Sequence, residues 1–160
     1  MKTTLNEQGK LTKPAADNQA AFDVVDLGPF DNNRNDLKAI NDCGQGVGIS
    51  LNSSTGRVEA FLEECGKRTE LGTLGGSFSV ARDINNRGEV VGGSLTEGDD
   101  AFHAFIYRGN RLYDLNDLVD PTGGWEVLQA VGINNCGEIV GIGCQAGQDR
   151  IVLLRPKTSG

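Results

Sequence analysis

The chain has 160 residues, one domain's worth, with 22 acidic against 15 basic side chains and a formal charge of −7. An acidic surface repels phosphate backbones, which argues against a nucleic-acid partner. Its apolar runs, such as Ile151–Leu154, are far too short to span a bilayer, so no membrane insertion is expected.

In chain order, residues 1–21 come first as a polar segment rich in Asn, Gln, Lys, Ala and Thr, read as a flexible N-terminal arm. It lacks the apolar core of a secretion signal, so the chain is expected in the cytoplasm unless a signal has been removed. From Phe22 onward the sequence repeats. AINDCGQGVG (39–48), DINNRGEVVG (83–92) and GINNCGEIVG (132–141) are three copies of one pattern: Ile-Asn, polar residues, Gly, then an apolar stretch closed by Gly. Asp26-Leu27-Gly28, Glu70-Leu71-Gly72 and Asp114-Leu115-Asn116 recur in step with them. Most of the 23 glycines are spread along these repeats and mark turns. A period near 40–45 residues is the mark of a repeat architecture.

The second copy shows the local structure best. Ser79–Ile84 reads as a strand, Asn85–Gly88 as a tight turn with Gly placed for positive φ, and Glu89–Ser94 as a second strand. An acidic loop, 96–100, leads to the aromatic and β-branched strand Ala101–Tyr107; after the turn 108–111 comes Leu112–Leu115. Four antiparallel strands in about 44 residues are the anatomy of a propeller blade. The expected domain therefore covers 22–156, with repeats about 26–69, 70–113 and 114–156, then a tail at 157–160. The positions that recur in apolar roles form the expected core: Ile40, Ile84 and Ile133; Leu27, Leu71 and Leu115; Phe61, Phe105 and Val152.

Val24–Gly28 reads as a fourth strand without its own blade, and the last repeat, after Ile151–Leu154, lacks one. Three blades are fewer than propellers use. The expected fold is thus all-β, with three four-stranded propeller-type blades completed to a six-bladed ring in a homodimer, each leading strand finishing the partner's last blade. A compact threefold sheet assembly in a monomer is the alternative.

With the repeats in register, the chain resembles the HAF-repeat proteins. His103-Ala104-Phe105 carries their triplet, and Glu70-Leu71-Gly72-Thr73-Leu74-Gly75-Gly76 their spacer with one conservative change. Leu115–Trp125 and Ile151–Pro156 resemble the family's atypical last repeat, while the triplet position reads Glu59-Ala60-Phe61 and Arg150-Ile151-Val152 in the other copies. The resemblance implies a β-propeller-like, secreted bacterial protein. It brings no shared reaction, substrate or cofactor.

The catalytic inventory is poor. His103 is the only histidine, stands where the other repeats carry Glu59 and Arg150, and reads first as a surface or inter-blade polar residue. No G-x-S-x-G surrounds Ser77, Ser79 or Ser94. Carboxylates cluster in loops, as at Asp99-Asp100, where a glycosidase-like pair is conceivable but solvated acidic loops are the simpler reading. Asp31, Asn33, Asn35 and Asp42 imitate the oxygen ladder of a calcium loop but lack its glycine and flanking helices. With one His and no C-x-x-C there is no zinc pattern, and Cys43, Cys65, Cys136 and Cys144 read as free thiols. Trp125, the only tryptophan, is either a sugar-stacking platform or a plug between blades.

The favoured function is a non-enzymatic binding module presenting loops to a glycan or protein ligand, with Trp125, His103, Asp99 and Asp100 as candidate contacts and no obligate cofactor. A carboxylate-dependent hydrolase and a structural self-assembly protein are the competing readings.

Overall fold

The structure is a computed structural model, and it describes residues 4–5, 11–12, 22–31 and 34–158. Among these the protein is all-β, its helical content being three short 3-10 turns. Among the described residues no helix is long and apolar enough to cross a membrane. Most of the expected arm at 1–21 lies outside the described residues; within it β1 (Thr4–Leu5) pairs with β2 (Leu11–Thr12).

Three antiparallel meanders follow. The first is β3 (Asn35–Ile40), β4 (Gly46–Asn52), β5 (Arg57–Glu64) and β6 (Lys67–Gly72); the second is β7 (Gly75–Ile84), β8 (Val90–Thr96), β9 (Phe102–Arg108) and β10 (Arg111–Asp114). The third holds β11 (Trp125–Ile133), β12 (Ile139–Gln145) and β13 (Gln148–Leu154). A single parallel pairing, Val58 with Phe78, joins the first two into one eight-stranded sheet, and the third is separate. Neither sheet closes on itself.

The repeated glycine of each Gly-bearing second strand has a steric cause. Each first strand carries a β-bulge, at Leu37/Ala39, Ala81/Asp83 and Ala130/Gly132. The bulge pushes a carbonyl toward the second strand. A Cβ at Gly48, Gly92 or Gly141 would fall 1.9, 1.9 or 2.0 Å from the oxygen of Asp36, Val80 or Gln129. No larger residue fits there.

Each turn after a first strand is closed by an asparagine. The Oδ1 of Asn41 accepts the N–H groups of Cys43 and Gln45 at 3.1 and 2.9 Å; Asn85 does the same to Arg87 and Glu89, both at 3.0 Å, and Asn134 to Cys136 and Glu138 at 3.0 and 2.9 Å. The amide nitrogens reach sideways. Asn41 Nδ2 donates to the Asn85 carbonyl at 3.0 Å, and Asn85 Nδ2 to the Asn134 carbonyl at 3.1 Å. A second rung runs beside it: Asp42 N–H donates to Asn86 Oδ1 at 2.9 Å, and Asn86 N–H to Asn135 Oδ1 at 2.8 Å. The three turns therefore form a ladder whose two repeated rungs share one direction.

Between meanders lie two apolar seams. Val47, Ala60 and Leu71 of the first pack with Ala81, Ile84, Val90 and Phe105 of the second. Val91, Ala104, Ile106 and Leu115 of the second pack with Val127, Ala130, Ile133 and Ile139 of the third. Burial of Ile84, Ile133, Leu71, Leu115, Phe61 and Phe105 matches the repeat register.

Three expected core residues are corrected. Ile40 is 72% exposed, Leu27 is 45% exposed and Val152 is only partly buried. Ile84 and Ile133 are buried because each packs on the preceding meander, and among the described residues none precedes β3. Leu27 and Val152 likewise lie at the two open ends of the row. Val24–Gly28, expected as a strand, has no ladder partner among the described residues.

Ile84→Ala should remove about 2–5 kcal/mol of stability by leaving a cavity in the first seam, measured by urea unfolding; a loss below half that range would show that the seam is not the core. Asn85→Ala, which removes a buried side chain that closes the turn and makes a rung, should cost about 1–3 kcal/mol in the same assay.

Candidate functional site

The seam between the second and third meanders gathers most of the polar chemistry. His103, near the start of β9, sits with its Nδ1 2.6 Å from Asp114 Oδ2 on β10 and its Nε2 3.2 Å from Glu126 Oε1 on β11. The ladder pairs Asp114 with Phe105, which puts His103 and Asp114 on one face of adjacent strands two residues out of step. Burial works against the charged imidazolium, but the hydrogen bonds and charges of Asp114 and then Glu126 outweigh it and raise the His103 pKa above its ordinary value. His103 is an ionic clamp between two meanders. With both ring nitrogens on carboxylates, and no serine, threonine or cysteine bonded to it among the described residues, it holds no nucleophile.

The same pair of positions recurs in the first meander as Glu59 and Glu70. Burial pushes the Glu70 carboxyl up, the Ser50 hydroxyl opposes this by donating to it at 2.9 Å, and the charge of Glu59 adds to the rise. In the third meander the His103 position is Arg150, on β13.

Trp125 opens β11 and is exposed, at 36%, its ring edge near Gly143. It lines an open cavity of about 500 Å3 with Asp120, Thr122, Val127, Ile151 and Leu153. Glu126, the residue after it, is the outer partner of the histidine; successive side chains of a strand alternate between faces, and His103 does not line the Trp125 cavity. Asp99 and Asp100 do not bond to His103 among the described residues. Asp99 instead accepts the N–H and the hydroxyl of Ser77, both at 2.7 Å, and these two bonds hold its carboxyl below the usual range. Its role is to fasten the β8–β9 loop to the start of β7. Asp100 is exposed in that loop.

Two of the calcium-like residues have protein partners. Asn33 lies outside the described residues. The Oδ1 of Asn35 accepts from the Arg68 guanidinium at 2.8 Å, and an Asp42 oxygen accepts from Asn86 Nδ2 at 2.7 Å in the turn ladder. Among the described residues no group of three or more His, Cys, Asp or Glu side chains is placed to hold a metal ion. All four cysteines are free.

Asp114 and Glu126 are the functional side chains that sequence reasoning missed. Asp114 was visible as the third member of the Asp26, Glu70, Asp114 series; pairing it to His103 needed only the strand register. Glu126 carried no signal, since it follows the long connection that breaks the period.

Because the folded His103 pKa is raised, its clamp contributes fully below the ordinary histidine value of 6.5 and is lost as pH rises through the folded value. The melting temperature should therefore fall between pH 6 and pH 8, and His103→Gln should flatten that dependence in differential scanning calorimetry; an unchanged slope would remove the clamp.

Compared with known proteins, the chain matches no family model, no curated protein and no solved structure.

Proposed function

We propose that the chain is a non-enzymatic binding module of the HAF-repeat kind, in which each meander is a propeller-type blade and two copies complete a six-bladed ring. The observation that carries the non-enzymatic reading is the engagement of both nitrogens of the sole histidine by Asp114 and Glu126. A general base needs a free nitrogen facing a substrate proton, and this one is spent on holding two meanders together. The carboxylates of the pair are in turn committed to the imidazolium, which weakens a glycosidase reading built on them.

The ligand surface is the rim of the cavity at Trp125. A half-exposed indole beside Thr122 and Asp120 offers a flat apolar face with hydrogen-bonding groups at its edge, the combination that suits a sugar ring or an aromatic-bearing protein loop. This reading does not call on calcium: Asn35 Oδ1 accepts from Arg68 and one Asp42 oxygen from Asn86.

A glycan array and a panel of model glycosides test the reading together. Wild type is expected to bind at least one glycan class without turnover, and Trp125→Ala to weaken that binding at least about tenfold, the scale of one lost aromatic anchor. Release of aglycone by wild type would establish the hydrolase instead. Because Trp125 stands beside the edge of β13, each variant is also scored for its mass in solution.

A further inference from the structure

We propose that the second copy binds head to tail, with its Phe22–Gly28 segment added to the free edge of β13 so that Asp26 meets Arg150 and Asp23 faces Arg155. The inference rests on the blade reading above and adds to it the register and the charge pairs of the junction.

The two open ends of the molecule are the two halves of a seam it already makes twice. Val140, Ile151 and Leu153 stand in the third meander where Val47, Ala60 and Leu62 stand in the first, and Val91, Ala104 and Ile106 in the second. Those earlier residues line the seams, whereas Val140 and Leu153 are exposed and Ile151 is 93% exposed. At the other end, Leu37 and Ile40 hold the positions of Ala81 and Ile84, and of Ala130 and Ile133, and are exposed too. Each end supplies what the other lacks.

The turn ladder has the same complementarity in hydrogen bonds. The two repeated rungs run from the earlier turn to the later, from amide donors to carbonyl and side-chain acceptors, and only the Asn86 Nδ2 bond back to the Asp42 carboxylate runs against them. The last turn therefore ends in donors, Asn134 Nδ2 and the Asn135 N–H, and the first begins with acceptors, the Asn41 carbonyl and the Asp42 carboxylate. A second copy following in the same direction continues both rungs.

Residues 22–28 fit the missing strand. Asp26 Oδ1 accepts the Gly28 N–H at 2.8 Å, the same local turn by which Asp114 Oδ1 accepts the Asn116 N–H at 2.8 Å at the end of β10. The two complete meanders share one register: Phe61 opposes Glu70 and Glu63 opposes Arg68, as Phe105 opposes Asp114 and Tyr107 opposes Leu112. Carried to β13, it sets Asp26 against Val152, Val25 against Leu153 and Val24 against Leu154. Asp26 then lies beside Arg150 as Asp114 lies beside His103, and Asp23 faces Arg155 as Lys67 faces Glu64. Both contacts join opposite charges. Val24, 96% exposed, takes the place of Leu112 above a cleft of about 580 Å3 whose floor includes Ile106, Leu118, Ile139 and Leu154.

The segment is also already seated on its own first meander, since Val25 and Leu27 line a cavity there with Leu37 and Ile40. Its own β13 lies beyond the second meander. A strand held at one end of the row can reach a β13 edge most directly in another molecule.

Sedimentation velocity with circular dichroism of each sample tests this. Wild type should sediment as a dimer, twice 17.0 kDa. Asp26→Arg and Arg150→Glu, each alone, should weaken dimerisation at least about tenfold, because each puts like charges together at both junctions. Their equimolar mixture should restore the dimer, since each junction then holds one opposite pair. Asp23→Lys and Arg155→Glu form a second set with the same expected behaviour, for use if either first variant loses its β spectrum. A wild-type dimer indifferent to both sets would overturn the strand register while leaving the ring; a wild-type monomer would remove the ring and the inference together. Rescue in the double variant D26R/R150E but not in the mixture would place the pairing within one chain and overturn the second copy.

Discussion

Everything in this protein hangs on the asparagine that follows the isoleucine of each repeat. Its oxygen takes two backbone donors that a tight turn would otherwise bury without partners, and its nitrogen takes a carbonyl of the next turn. One side chain thus sets both the shape of a meander and its offset from the next. Aspartate could close the turn but has no N–H for the rung, and glutamine is a methylene too long for the same ring of bonds. Asn41 and Asn85 perform that double duty and Asn134 closes the last turn, and the bulge and glycine lie on the strands these turns join.

Once the turns are in line, the strand faces follow. A seam needs small residues where strands approach and branched ones where they part, and Ala81 with Ile84, then Ala130 with Ile133, supply this combination on one side. Ala60 and Leu62, then Ala104 and Ile106, supply it on the other. Polar contacts along the seams add selectivity to this packing. The Ser79 hydroxyl accepts the Ala60 N–H and donates to the Gly72 carbonyl, stitching two meanders where the ladder has thinned to one parallel pairing. Across the next seam the clamp of Asp114, His103 and Glu126 joins strands of the second and third meanders.

The all-β class, the four-strand order within a repeat and the turn positions were legible because they depend on short-range chemistry: glycine at positive φ, Asn in turns, β-branched residues between them. Ile84, Leu71 and Phe105 were legible for the same reason, through their phase. Ile40 and Leu27 were misread because phase reports which face a residue occupies, whereas burial also needs a neighbour on that face. The site was harder. His103 was named for being unique, yet its meaning came from Asp114 and Glu126, which only strand register and the placement of the third meander bring to it. Asp99 was named as a candidate contact, but its bonds to Ser77, across 22 residues, are ones that no local pattern announces.

The direction of the ladder carries a further consequence. A stack whose repeated rungs share one direction has a donor end and an acceptor end, as a polar filament has, so meanders are gained or lost in parallel orientation. The rotation from one meander to the next then decides whether such a row closes after a few members or runs on as a helix. Evolution can change the length of the row by duplicating a segment of about 44 residues, the separation of its first two rung asparagines, without redesigning a single contact.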